Sequence, residues 1–153
     1  MRGVSFKVPL KKLDLLQSIL NGIDLEALNW YVIKNQTEVW EYPNDSAYFE
    51  NAYYNGDDFS SIIKSPHYII FLKLQAYLRI SNRFKDIHTY EDFLSSDCLL
   101  LLLIYDCEYV EIYLKDAKTV NRIIENAKEA RFEEITIITD ENDARTNLDI
   151  LST

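Results

Sequence analysis

Glycine is scarce in this chain of 153 residues: Gly3, Gly22 and Gly56 are the only three, and no two are close. Loops that cradle phosphate need clustered glycines, so that consecutive backbone N–H groups can approach the oxygens. Their scarcity excludes the nucleoside-triphosphate loop and the dinucleotide fingerprint. The glycine-flanked serine elbow of α/β-hydrolases is missing as well. Histidine is scarcer still, with His67 and His88 alone, and these give no zinc spacing with Cys98 and Cys107. Asp86-Ile87-His88 sets a carboxylate and an imidazole two apart, but reads as an exposed loop, and His67 behind Pro66 reads as a solvent-facing ring at a strand start. No metal, no cofactor and no catalytic residue is expected.

Cysteine is used only twice, at the two ends of a very apolar run. If that run is a strand, nine steps of ~3.3 Å hold Cys98 and Cys107 roughly 30 Å apart. A disulfide needs Cα atoms within about 7 Å, so the two cannot pair within one subunit. Two free thiols fit a reducing cytoplasm. Asp106 and Glu108 flank Cys107, and adjacent carboxylates deplete the nucleophilic thiolate, which argues against a catalytic cysteine. No apolar stretch of signal-peptide length precedes Pro9, and the longest purely apolar run, Leu99 to Ile104, is too short to cross a bilayer. A soluble cytoplasmic protein is expected.

Positive charge is the third scarcity. Sixteen basic residues face 25 acidic ones, for a net charge of −9, and 12 acids against 6 bases lie from Leu101 onward. Such a field repels phosphate backbones and anionic lipid and draws in basic partners, so neither nucleic acid nor membrane is expected as a ligand. From Gln36 to Ile63 there is no lysine or arginine at all, yet Glu38, Glu41, Asp45, Glu50, Asp57 and Asp58 are present. The same stretch holds Trp40, Tyr42, Tyr48, Phe49, Tyr53, Tyr54 and Phe59. Amphipathic rings, short polar residues and one sign of charge resemble a protein-binding surface. The other reading is a long connection whose rings fold back on the sheet. Both stand at this point, with Tyr48, Tyr53, Tyr54, Asp57 and Asp58 as the candidate binding residues.

The chain is otherwise rich in apolar residues, at 48%, with periods that place elements. Val4, Phe6 and Val8 alternate and predict a strand closed by Pro9. Leu13, Leu16, Ile19 and Leu20 recur at helical spacing and stop at Asn21-Gly22. Asn29 to Ile33 and Thr37 to Tyr42 read as a hairpin around Lys34-Asn35-Gln36. A short helix capped by Asp45 or Ser46 is expected within Pro43 to Gly56, and another from Asp57 or Asp58 to Lys64, ended by Pro66. Tyr68 to Ile80 is a long strand pattern, with Ile70, Leu72, Leu74, Ala76 and Leu78 on one face and Lys73, Gln75, Tyr77 and Arg79 on the other. Thr89 caps a turn through Asp92. Leu99 to Ile104, apolar on both faces, reads as a central strand. After the turn Asp106-Cys107-Glu108, Val110, Ile112 and Leu114 point inward and Tyr109, Glu111 and Tyr113 outward. Asp116 caps the clearest helix, with Ala117, Val120, Ile123, Ile124 and Ala127 on one face. Ile135 to Ile138 is a last strand. A hairpin followed by a strand-helix-strand crossover argues for α+β: a single domain, residues 1–153, with a mostly antiparallel sheet and helices packed against it.

Asp140-Glu141-Asn142-Asp143, followed by Arg145, is the densest acid. It lacks the glycine and the downstream glutamate of a calcium loop. Thr139 or Asp140 capping a final helical turn accounts for it. The alternative is a small enzyme with Asp140, Asp143 and Arg145 near a strand end. Trp30 and Trp40 read as core or cross-strand packing, and a ligand-sensing module with an aromatic pocket around them is a third possibility.

Four stretches taken together carry a resemblance: Arg2-Gly3-Val4-Ser5-Phe6, Asn29-Trp30-Tyr31, Ser96-Asp97-Cys98, and the run from Ile138 to Thr146. Over nearly its whole length the chain resembles a family of small uncharacterised proteins from Gram-positive bacteria, a domain of unknown function. The resemblance implies a bacterial cytoplasmic protein of one domain and supplies no activity, substrate or site. On the residues themselves, the expected function is a non-catalytic acidic binding protein, of the immunity or inhibitor kind, that engages a basic protein partner.

Overall fold

The central pair is β6 (Cys98–Tyr105) and β7 (Tyr109–Leu114), antiparallel with Leu102 opposite Ile112. In this computed structural model, which describes residues 1–143 and 145–150, Asp106 and Cys107 both take left-handed φ at the hairpin tip, 52° and 63°. Glu108 N–H donates to the Tyr105 carbonyl at 3.3 Å to close the turn, and left-handed φ at both of its central residues matches the twist of the strands in this three-residue connection. β5 (His67–Leu78) lies on the other side of β6. The sheet continues outward on one flank through β2 (Leu28–Val32) to β4 (Tyr53–Tyr54), and on the other through β1 (Gly3–Lys7) to β8 (Glu133–Ile138). Because β1 runs antiparallel to both β7 and β8, the helix α4 (Ala117–Glu129) joins two parallel strands across it. The architecture is α+β, with every strand pair antiparallel.

The expected hairpin before β5 is corrected. β2 and β3 (Glu38–Glu41) both form but do not pair with each other. They follow one another along the same edge of β5, β2 beside Leu74 to Leu78 and β3 beside His67 to Phe71, with a 3-10 turn at Lys34–Gln36 between them. Two patterned runs with a short polar break look alike in sequence whether they fold back or run on. Between Pro43 and Gly56 no helix forms, and instead the chain turns so that Trp40 bridges Ala47. The helix α2 (Gly56–Ile62) is capped by Asn55, whose Oδ1 accepts from Asp58 N–H at 2.9 Å, and Asp57 and Asp58 sit in its first turn.

One face of the sheet is covered by α1 (Leu15–Leu20), α2 and α4. Val4, Phe6, Leu72, Leu74, Leu100, Leu102, Ile104 and Ile112 form the core beneath them, each full burial stabilising by roughly 1.5–3 kcal/mol before entropy is set against it. The far face carries the groups assigned outward, and it is not wet. Tyr77, Leu101, Leu103 and Tyr113 are buried there under Ile87, under Phe93 of α3 (Tyr90–Ser95), and under Leu148. The Thr89 cap of α3 forms as expected, as a reciprocal pair with Asp92. Lys73 and Gln75 are wholly buried on that face as well. Among the described residues no helix is long and apolar enough to cross a membrane.

Candidate functional site

The aromatic acidic segment divides between core and surface. Tyr48, Phe49, Tyr54 and Phe59 are buried, Phe59 stacked on Trp30 with centroids 4.1 Å apart and planes within 8°. The Trp30 indole donates to the Leu25 carbonyl, so it is filled packing rather than the wall of a cage. Tyr54 takes the Asn51 N–H on its hydroxyl, and the Tyr48 hydroxyl reaches the Ser65 carbonyl. Of the five candidate binding residues, then, Tyr48 and Tyr54 hold the fold, whereas Tyr53, 46% exposed, and Asp57 and Asp58 face solvent.

Two further features around this segment were not legible in the sequence. Tyr53 pairs across the sheet with Tyr31, ring centroids 5.1 Å apart, and Phe84 lies 4.6 Å from Tyr31, so three rings from distant parts of the chain make one half-exposed patch. Gly56 meets the 3-10 turn Leu25–Ala27 so closely that a Cβ there would stand 2.5 Å from the Glu26 carbonyl. This contact brings exposed Glu26 beside Asp57 and Asp58, although Arg79 reaches the Glu26 carbonyl. Alternation and local charge counts are blind to both, because each depends on long-range pairing.

None of Glu38, Glu41, Asp45, Glu50, Asp57 and Asp58 has an ion-pair partner among the described residues. Hydrogen bonds do reach some of them: Trp40 Nε1 donates to Glu38, Ser46 to Glu41, and the Tyr68 hydroxyl to Asp45. These satisfy oxygens without cancelling charge.

The other candidate group, Asp140, Asp143 and Arg145, is compensated by residues outside it. Arg2 reaches Asp140 at 2.8 Å and Asp143 at 3.2 Å, and its guanidinium lies 3.9 Å from the centre of the Tyr90 ring. Arg145 pairs instead with Glu111 and lies over Tyr105. Burial pushes the Glu111 carboxyl up, and the Arg145 charge opposes that shift. Thr139 takes the Asn142 N–H as a capping hydroxyl would, and the chain turns there. The structure thus ties these acids to the first strand and splits Arg145 from them. No group of three or more metal-ligating side chains stands together among the described residues.

Both histidines sit in places the sequence did not indicate. His67 is wholly buried rather than solvent-facing, with Nε2 taking the Leu16 N–H at 3.3 Å and Nδ1 at 2.9 Å from the Ser65 carbonyl. Burial lowers its pKa. His88 places Nδ1 2.9 Å from Asp149, whose carboxylate also takes Lys73 Nζ and Gln36 Nε2. A lysine amid the apolar residues of a long inner strand was the available signal, since such a charge needs a partner if it is buried.

The two thiols are free: Cys98 is buried, which pushes it up to about 12, and Cys107 is half-buried at the hairpin tip.

The family model described as "Protein of unknown function (DUF2691)" matches residues 1–149. The protein is also similar to "Uncharacterized protein YncE" of Bacillus subtilis (strain 168), a Gram-positive bacterium, at 32% identity over 156 residues, covering 97% of this chain and 99% of that one. No solved structure matches it significantly. With strand order, pairing and side-chain clusters described and both matches running nearly end to end, the chain belongs to the DUF2691 family.

Proposed function

We propose that this protein is a non-catalytic acidic binding protein, of the immunity or inhibitor kind, that engages a basic protein partner in the cytoplasm. The carrying observation is the contrast between its two acidic groups. The acids at Glu38 to Asp58 have no ion-pair partner among the described residues, while Asp140, Asp143 and Asp149 each have one. Uncompensated charge projects a field that steers a cationic partner, and compensated charge does not. On the far face of the same sheet edge, Tyr53, Tyr31 and Phe84 supply rigid contact area at low entropy cost. The cytoplasmic setting is supported by two free thiols, one at the start of β6 and one in the hairpin beyond its end. A small enzyme at Asp140, Asp143 and Arg145 has less support, because the two acids are paired with Arg2 and Arg145 is paired with Glu111.

Affinity capture from the native host, followed by kinetics on variants, tests the reading. Tyr53→Ala is expected to speed dissociation while leaving the fold intact, unlike Tyr48 or Tyr54, which are core. Asp57→Asn with Asp58→Asn should slow association by roughly threefold at low salt and flatten its salt dependence. Unchanged kinetics in all three substitutions would move the interface elsewhere.

A further inference from the structure

Three donors from three separate elements converge on one carboxylate. Asp149 Oδ1 lies 2.8 Å from Lys73 Nζ on β5, 2.9 Å from Gln36 Nε2 in the 3-10 turn, and 3.0 Å from His88 Nδ1 in the loop before α3. The donors all belong to the sheet and its flanking loops, and the acceptor belongs to the carboxy-terminal strap, residues 145–150. Gln36 is additionally fixed by taking the Ile150 N–H on its Oε1 at 2.6 Å, and Lys73 also donates to the Ile87 carbonyl. A lysine with 0% exposure on a strand face, flanked by Leu101 and Leu103 of β6, is an expensive way to seat a strap. A methionine or leucine would pack there without desolvating a charge. The lysine selects what may lie above it.

The neighbouring positions continue the pattern. Lys73, Leu103 and Glu111 are successive partners in one row across β5, β6 and β7. Two strand spacings set the two backbones about 10 Å apart, with Leu103 between them. Each charge is met from the strap, Lys73 by Asp149 and Glu111 by Arg145. Leu148 is the strap's one wholly buried apolar side chain among the described residues. Its other anchors are the ion pairs to Lys73 and Glu111, the Ile150 N–H on Gln36 and the Leu148 N–H on the His88 carbonyl, and His88, 51% exposed on its side chain, stands at the edge of the slot. With a single buried apolar side chain holding it, the strap can open below the free energy of global unfolding, and lifting it leaves the Lys73 charge in need of another anion.

We propose that Lys73, Gln36 and His88 form a carboxylate-binding site that the chain fills with its own Asp149, and that an external carboxylate replaces Asp149 when the strap lifts. The ligand is a small carboxylic acid or the acidic side chain of an extended peptide. The charge at Glu111 favours a peptide that carries a cation as well. The site is independent of the acidic surface proposed above, which could fail without affecting it.

The experiment uses the full chain. Sodium acetate, sodium chloride at equal ionic strength, and a synthetic peptide of residues 145–150 are added separately, and exchange of the Ile150 amide is followed. Displacement of Asp149 is expected to speed that exchange by about threefold or more over the chloride control. Acceleration by both probes assigns a general carboxylate site, and acceleration by the peptide alone assigns an extended segment. No acceleration by either overturns the proposal. In parallel, Asp149→Ala opens the slot, and acetate should then raise the melting midpoint about 3 °C or more above chloride. The increment should vanish when Lys73→Met is added. Equal midpoints in acetate and chloride overturn the proposal, and if Asp149→Ala does not fold in either salt, exchange in the native chain decides.

Discussion

His67 accepts from the Leu16 backbone through Nε2 and faces the Ser65 carbonyl through Nδ1, so the ring is neutral with its proton on Nδ1. Burial lowers its pKa, against smaller opposing effects of the Ser65 hydrogen bond and of Asp14. Between the ordinary imidazole value and that lowered one, the unfolded chain binds a proton that the folded chain does not. Stability from this residue is therefore complete above about pH 6.5 and declines as the pH falls through the lowered value. His67→Gln retains an acceptor and a donor at similar reach, and it should cost about 1–2 kcal/mol at pH 7.5. In urea denaturation at pH 7.5, 6.5 and 5.5, the variant should lose less stability on acidification than the native chain, and parallel losses would refute the assignment. Asp149 acts lower on the scale. Burial alone would raise its carboxyl, but hydrogen bonds from Lys73, Gln36 and His88 outweigh that and hold it at about 2. Its contribution is present above the ordinary carboxyl value near 3.8 and is lost as the pH falls toward 2.

At the scale of elements, the inward position of His67 follows from an irregularity in β5. Glu38 pairs with Phe71 and Val39 with Ile69, so β5 carries one extra residue there. A bulge reverses the alternation, and Ile69 rather than Ile70 joins Leu72 in the core under the helices. An alternating pattern read without that bulge sends Ile70 inward and His67 out. Where no such shift intervenes the sequence was sufficient: the β6–β7 hairpin, the Thr89 and Asp116 caps and the apolar face of α4 all follow from local patterns. What local patterns could not supply is long-range. They missed that β3 runs on beside β5 and that the far face is sealed by the strap, and they left open whether Tyr48 and Tyr54 pack inward. The central placement of β6 makes a kinetic statement. The amides of Leu100 to Leu103 should be among the slowest to exchange, since β5 and β7 pair with both edges, while those of the edge strand β8 open by smaller fluctuations. Exchange as fast at Leu100 to Leu103 as at Ile135 to Ile137 would show that β6 is not held from both sides.

For the whole molecule, a net charge of −9 means self-repulsion, and its distribution decides where this is felt. The far-face acids are met by Arg2, Lys73 and Arg145 and bind the strap to the sheet. The acids between Glu26 and Asp58 do no such work. Asp57 and Asp58 gain something from the start of α2, where negative charge is favourable by about 0.3–1 kcal/mol, so neutralising them mixes two effects. Glu50, in the same base-free segment, has neither a helix terminus nor an ion-pair partner among the described residues and stands exposed. If those charges exist for association, Glu50→Gln should leave stability within about 0.5 kcal/mol of the native value, or raise it slightly at low salt. Capture of a cationic partner should nevertheless slow, and added salt should erase the difference between variant and native chain. Thermal melts at two ionic strengths, set beside association rates at the same two, measure both quantities. A clear loss of stability with unaltered association would mean that Glu50 serves the fold, and the acidic surface would lose its strongest argument for a partner.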